Sequence, residues 1–142
     1  MTTVQQLMKT RLVTAKLSTS VREAVQTMGE AGIRHLPVTD DNGRLIGMIS
    51  HRDAVRALDV MRAADGERSM VRVGDIMKTE VLRANPEMAA HQAAAMMIET
   101  KIGALPVVGD SGKLVGIITE TDFLEVAREA LLGFDAGRRA RA

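Results

Sequence analysis

Two short stretches carry the side chains best suited to hold another molecule. Ser50-His51-Arg52-Asp53 and Thr119-Glu120-Thr121-Asp122 each set a hydroxyl three residues ahead of a carboxylate. That spacing marks the start of a helix, where the hydroxyl and the acid cap free backbone N–H groups. Capping and binding are compatible. A helix N-terminus presents unpaired N–H groups and the positive end of the helix dipole, so it favours an anion such as phosphate. A carboxylate in the first turn can accept two hydrogen bonds from the vicinal hydroxyls of a ribose, as the acid of a dinucleotide fold does. His51 and Arg52 add positive charge beside Asp53, and an arginine can grip phosphate with two parallel bonds. Glu120 adds negative charge beside Asp122, so the first stretch is the better expected phosphate site.

Other chemistries lack residues. His35, His51 and His91 form no His-x-x-x-His pair and there is no cysteine, so no metal site is expected. No Gly-x-Ser-x-Gly elbow, glycine-rich phosphate loop or paired-carboxylate arrangement stands out, and no catalytic residue is assigned. The chain is not expected to be an enzyme or to require a cofactor. With no Trp or Tyr, and Phe123 and Phe134 as the only aromatics, it cannot build the stacking platform of a single-strand nucleic-acid binder. A net charge of +1 gives no further reason to expect nucleic acid. The ten methionines are read as core filler. No apolar run approaches the roughly 20 residues that span a bilayer, and the first residues lack the features of a signal peptide. A cytoplasmic location and no membrane contact are expected.

The elements that must position these stretches come in duplicate. The chain from Val4 lies over the chain from Val73 without a gap, through Leu58 over Ala127. The sharpest match sets His35 to Asp53, HLPVTDDNGRLIGMISHRD, over Ala104 to Asp122, ALPVVGDSGKLVGIITETD. Leu7-Met8-Lys9-Thr10 likewise lies over Ile76-Met77-Lys78-Thr79. Each copy reads as strand, helix, strand, strand, helix. The first strands are expected near 11–14 and 80–83. Val21, Ala24, Val25 and Met28, and then Ala90, Ala93, Ala94 and Met97, fall at the i, i+3, i+4, i+7 spacing of one helical face. Ser20 to Glu23 forms a capping box for the first of these helices, and Asn85-Pro86 is expected to open the second. Hairpins are expected from 36–39 with 44–49 and from 105–108 with 113–118, turning at Gly43 and Gly112. Closing helices are expected near 51–63 and 120–132. Neither copy is large enough to be stable alone, so the two are read as one folding unit packed sheet to sheet around a shared core. The boundaries are 1–63 for the first repeat, 64–72 for a linker, 73–133 for the second repeat and 134–142 for a frayed basic tail.

These residues resemble the CBS domain, named for cystathionine β-synthase. The resemblance rests on Gly32-Ile33-Arg34-His35-Leu36-Pro37-Val38, Asp41-Asn42-Gly43 and Gly47-Met48-Ile49-Ser50 with Asp53. It recurs in Leu105-Pro106-Val107, Asp110-Ser111-Gly112 and Gly116-Ile117-Ile118-Thr119 with Asp122. It covers nearly the whole chain. It implies an α+β fold in which two repeats pair about a pseudo-twofold axis into one Bateman-type module, and two modules commonly form a disc-shaped homodimer. It also implies adenine-containing ligands (AMP, ADP, ATP or similar) in two clefts, with an aspartate on the ribose and no catalysis by the module itself. In that arrangement Asp122, Thr119 and Thr121 face Leu12, Val13, Ile33 and Arg34. Ser50, His51, Arg52 and Asp53 face Val81, Leu82, Ile102 and Gly103. Met48 and Ile117 serve as walls, and aliphatic side chains hold adenine where an aromatic would otherwise stack.

The expected function is therefore a regulatory sensor that passes adenine-nucleotide occupancy to an unknown regulated protein. The alternative is a structural dimerisation module whose clefts stay empty. Apolar helix positions Val55 and Leu58, and Leu124, Ala127 and Leu131, are the expected homodimer contacts.

Overall fold

The computed structural model describes residues 1–65 and 70–141. Helices and strands mix in the expected α+β pattern. The first repeat contains α1 (Val4–Leu7), α2 (Val21–Ala31), β1 (His35–Thr39), β2 (Leu45–Ser50) and α3 (His51–Asp65). The second contains α4 (Val73–Ile76), α5 (Ala90–Thr100), β3 (Ala104–Val108), β4 (Leu114–Thr119) and α6 (Glu120–Arg141). Val21, Ala24 and Met28 are buried on α2, and Ala90, Ala93 and Met97 on α5, as the helical spacing predicts.

The hairpins are antiparallel with matched registers. Pro37 lies opposite Met48, and Pro106 opposite Ile117. Gly43 and Gly112, with φ of 79° and 82°, take the left-handed turn conformation that side chains resist. The two hairpin tips then join: Leu45 N–H donates to the Gly112 carbonyl at 3.2 Å, and Leu114 N–H to the Gly43 carbonyl at 3.0 Å.

The first strand of each repeat shrinks to a single residue. Ala15 bridges Val38 and Ala84 bridges Val107, both in parallel sense, while 11–14 and 80–83 are not strands. The proline in the neighbouring strand gives the reason. Ala15 N–H donates to the Pro37 carbonyl and Thr39 N–H donates back to the Ala15 carbonyl. The next rung would need an N–H on Pro37, which has none. Pro106 stops the second ladder in the same way beside Ala84.

The expected shared core is distributed over three clusters. One surrounds Met28, Leu36, Val38 and Ile49, a second surrounds Met97, Leu105, Val107 and Ile118, and a small third joins Leu45, Val108 and Leu114. The repeats interlock instead through their leading turns. Val73 of α4 is fully buried in the first repeat's cluster, and Val4 of α1 in the second's. These turns also cap the opposite helix. Val21 N–H donates to the Val71 carbonyl at 2.9 Å, and Ala90 N–H to the Thr2 carbonyl at 2.8 Å. Ser20 Oγ accepts from Glu23 N–H on α2, whereas α5 begins after Ala89 with no side-chain cap. The expected start at Asn85-Pro86 is thus too early. That dipeptide opens a turn closed by the Met88 N–H on the Asn85 carbonyl, and the Pro86 and Met88 carbonyls are occupied by Gln5 and Val4 N–H groups.

The closing helices differ from each other. α3 lies along α2 with Ala54 fully buried, whereas α6 rests on β4 at its base and is exposed from Leu124 onward. The expected frayed tail at 134–142 is helical as far as Arg141. Arg138, Arg139 and Arg141 occupy the last turn, where positive charge offsets the negative end of the dipole. Of the expected linker, α3 extends through Asp65 and Val71 joins the interlock, while 66–69 lie outside the described residues.

Candidate functional site

A cavity of about 940 Å³ opens where the two repeats meet. The start of α3 contributes Ser50, His51, Arg52 and Asp53. The segment after α4 contributes Lys78, Glu80, Val81 and Leu82, and the lead into β3 contributes Lys101, Ile102, Gly103 and Ala104. Ile33, Arg34, His35 and Met48 complete the first repeat's side, and Glu120 reaches in from α6. The structure therefore brings Asp53 and Ser50 together with Val81, Leu82, Ile102 and Gly103, the set grouped through the resemblance, and of the two expected walls it places Met48 there. Ile33 and Arg34, grouped with Asp122 from the sequence, lie on this cavity as well. So does Glu120, which was expected to bias the other cleft. The pseudo-twofold relation explains the placement: Arg34 and Gly103 hold matched positions, with His51 N–H bonded to the Arg34 carbonyl and Glu120 N–H to the Gly103 carbonyl.

Four lysines and arginines and three acids line the cavity, which leaves a positive excess on a partly aliphatic surface. Lys78 and Lys101 carry half of those cations and were not singled out from the sequence. The signal for Lys78 was present in the duplicated Met-Lys-Thr stretch, which was read only as a mark of the repeat. Lys101 ends α5 at φ 57°, the one positive φ outside glycine among the described residues, where α2 has Gly32. His35 has its pKa lowered from the usual 6.5, first by burial. Arg34 and Lys78 push in the same direction and Glu120 opposes them. Burial and the neighbouring cations thus favour its neutral form at the edge of a cationic cavity.

The two capping stretches complete opposite halves of the same box. At α3, Ser50 Oγ accepts from Asp53 N–H at 3.1 Å, and among the described residues the Asp53 carboxylate has no hydrogen bond or ion pair. At α6 the carboxylate does the capping. Asp122 Oδ2 accepts from Thr119 N–H at 2.8 Å and from the Thr119 hydroxyl at 3.4 Å. Its other oxygen, Oδ1, lies 2.9 Å from Lys9 Nζ. Asp122 is 3% exposed and Lys9 55%. The ammonium raises its own pKa through this hydrogen bond and the accompanying attraction.

The remaining sequence-selected residues are dispersed, and Leu12 and Val13, expected to face Asp122, pack into other clusters. Leu12 packs against the small cluster of Leu45, Val108 and Leu114, and Val13 against the first repeat's core. Ile117 exchanges two backbone hydrogen bonds with Lys9, at 2.9 and 3.0 Å. Thr121 is exposed on α6. None of these lines the large cavity. His91 is exposed on α5, and no group of three His, Cys, Asp or Glu side chains suited to a metal occurs among the described residues. No described helix is long and apolar enough to cross a membrane.

The family model for the CBS domain matches the chain twice, over residues 4–60 and 73–129. A CBS domain-containing protein of Dictyostelium discoideum is 31% identical over 90% of this chain and 92% of its own length. Several longer curated relatives match over only 21 to 43% of theirs. Among solved structures, the Arabidopsis thaliana protein CBSX2 in complex with AMP is 32% identical. It superimposes with a TM-score of 0.77, covering 92% of this chain and 98% of that one. The CBS domain pair of protein MJ0100, in complex with 5-methylthioadenosine and S-adenosyl-L-methionine, is 28% identical. Its TM-score is 0.78, with coverage of 91% and 98%.

Proposed function

The chain belongs to the CBS domain family, and from that premise we propose that it is a non-catalytic sensor whose cavity takes an adenine-containing nucleotide. The observation that carries this reading is the Asp53 carboxylate, left without a partner among the described residues on a cavity of about 940 Å³ with a surplus of cations. That volume is at the upper end of the range usual for small-molecule sites, roughly 300–1,000 Å³. Asp53 accepts the ribose hydroxyls. Arg34, Arg52, Lys78 and Lys101 offer the phosphates their counter-charge, and the positive end of the α3 dipole adds to it. Ile33, Met48, Val81, Leu82 and Ile102 enclose the base between aliphatic walls. The adenosine-type ligands of the CBSX2 and MJ0100 structures support the choice of ligand class. Occupancy draws both repeats onto one molecule, and the resulting change at their surfaces is what a regulated protein reads.

Calorimetric titration with AMP, ATP and GTP tests this. AMP and ATP bind, ATP gains over AMP, and the gain shrinks in salt as the exposed cations are screened. GTP binding as tightly as ATP would remove the adenine assignment. Because the chain has no Trp or Tyr, an adenine spectrum released on denaturing freshly purified protein is a second readout.

The homodimer belongs to the same proposal, with α6 as its seam. Phe123, Ala127, Ala130, Leu131 and Phe134 form one stripe that leaves the core at Phe123 and runs out into solvent. Leu131 is 62% and Phe134 72% exposed. The occupant is a second α6 lying antiparallel. Arg128 and Asp135, seven residues apart on one flank, then meet opposite charges in the other copy, whereas a parallel pair brings like residues level.

A further inference from the structure

Resting on that nucleotide reading, we propose that Lys9 is a built-in occupant of the Asp122 position, so that the chain holds one nucleotide, at Asp53, and not two. The two helix starts are matched in backbone but not in charge. Lys9 and Lys78 occupy equivalent places, each tied by a pair of backbone hydrogen bonds, to Ile117 and to Met48 respectively. Gly116 and Gly47 permit that approach: a Cβ on either would lie 3.1 Å from the Lys9 carbonyl or 2.9 Å from that of Lys78. From these equal anchors the side chains part. Lys9 reaches Asp122 at 2.9 Å, whereas Lys78 lines the cavity with no ion pair to Asp53.

Both Asp122 oxygens are therefore committed, one to Lys9 and one to the Thr119 N–H and hydroxyl. A ribose arriving there must replace an ammonium with neutral hydroxyl donors. The carboxylate is charged in either case, but only the lysine brings an opposite charge to it, and at 2.9 Å from a nearly buried acid that added attraction favours the lysine. The near-complete burial of Asp122 adds to this, because the diol must reach a carboxylate that is only 3% exposed. Asp53 has no such competitor. A purely structural ion pair would give the same geometry, but it would not make Lys9 decide how many ligands bind.

The test counts ligands. AMP is titrated calorimetrically into the wild type, Lys9→Met, and Lys9→Met combined with Asp53→Ala. The expected stoichiometries are one, two and one, with the single site of the double variant at Asp122. Two equivalents on the wild type overturn the proposal, as does one equivalent on Lys9→Met with wild-type affinity. A ligand-free arm separates this proposal from the nucleotide reading and needs only folded wild type. Lys9 is one of five lysines, and lysine side-chain NMR titration follows each. The Lys9 ammonium should titrate above the usual 10.5. A Lys9 without that upward displacement overturns the proposal whatever AMP does. A displaced Lys9 titration in a wild type that binds no AMP leaves the lock standing and removes the nucleotide reading alone.

Discussion

Asp53 and Asp122 hold equivalent positions, yet one faces an open cavity and the other is consumed by its own chain, and substitution should separate the two roles. Asp53→Ala should lower AMP affinity about 10- to 100-fold, the effect of losing hydrogen bonds to a charged acceptor worth roughly 1.5–3 kcal/mol. Its melting temperature should hardly move, because Ser50 Oγ still caps Asp53 N–H. Asp122→Ala should do the reverse. It strips the cap from Thr119 N–H and the partner from Lys9, for a stability loss of about 1–2 kcal/mol. Calorimetry alongside thermal melts distinguishes the two. His35 adds a pH signature. Its folded pKa is lowered, so the unfolded chain binds the proton more readily, and stability of the free protein falls as pH drops below about 6.5 before levelling beneath the folded value. Phosphate brought next to Arg34 and Lys78 reverses the push of those cations. Nucleotide binding should then add a proton uptake at His35 below about pH 6.5, seen in binding heats that depend on the buffer's ionisation enthalpy. His35→Gln should remove that part of the dependence.

Lys101 and Gly32 end matching helices in the left-handed conformation, and only the glycine does so without strain. Lys101→Gly should therefore stabilise the chain by up to about 1 kcal/mol while weakening ATP more than AMP, since it removes a cavity cation. A stabilised variant with unchanged ATP affinity would confine Lys101 to the helix end. Gly47→Ala should act at the opposite extreme. Its Cβ falls 2.6 Å from Met77 Sδ and 2.9 Å from the Lys78 carbonyl, so the bridge must shift, at about 1–3 kcal/mol. Chemical denaturation checks both. At this scale much was legible beforehand. The spacing of Val21, Ala24 and Met28, the Gly43 and Gly112 turns, and the duplicated hairpins follow from periodicity and turn chemistry, which are local. The stretches at 11–14 and 80–83 misled because whether they form strands depends on a proline far along the chain. The turns at Val4–Leu7 and Val73–Ile76 were missed because they are stabilised by the opposite repeat, and no local pattern reports that. The same holds for the site. Ser50, Asp53, Val81 and Ile102 could be grouped only through the family resemblance. Where Arg34, Glu120 and Lys9 point could not, because symmetry in the backbone does not determine side-chain partners.

For the whole molecule, α6 is the element least accounted for by a single copy. Removing residues 127–142 should convert a dimer seen by light scattering at micromolar concentration into a monomer, and Arg128→Glu should weaken it, while Arg128→Glu with Asp135→Arg should restore it. A wild type that runs as a monomer at those concentrations would leave the α6 stripe without its second copy. The exchanged turns carry a different consequence, for the order in which the chain can fold. Val4 leaves the ribosome well before the residues that build its cavity, around Ala93, Leu105 and Ile118. The first repeat is in turn short of Val73 until the next repeat has begun to appear. Neither half can finish before both have emerged, so the cooperative step waits for the second repeat. Cut within 66–69, the two fragments should each be poorly folded alone and should reassemble when mixed, recovering helical circular dichroism only together.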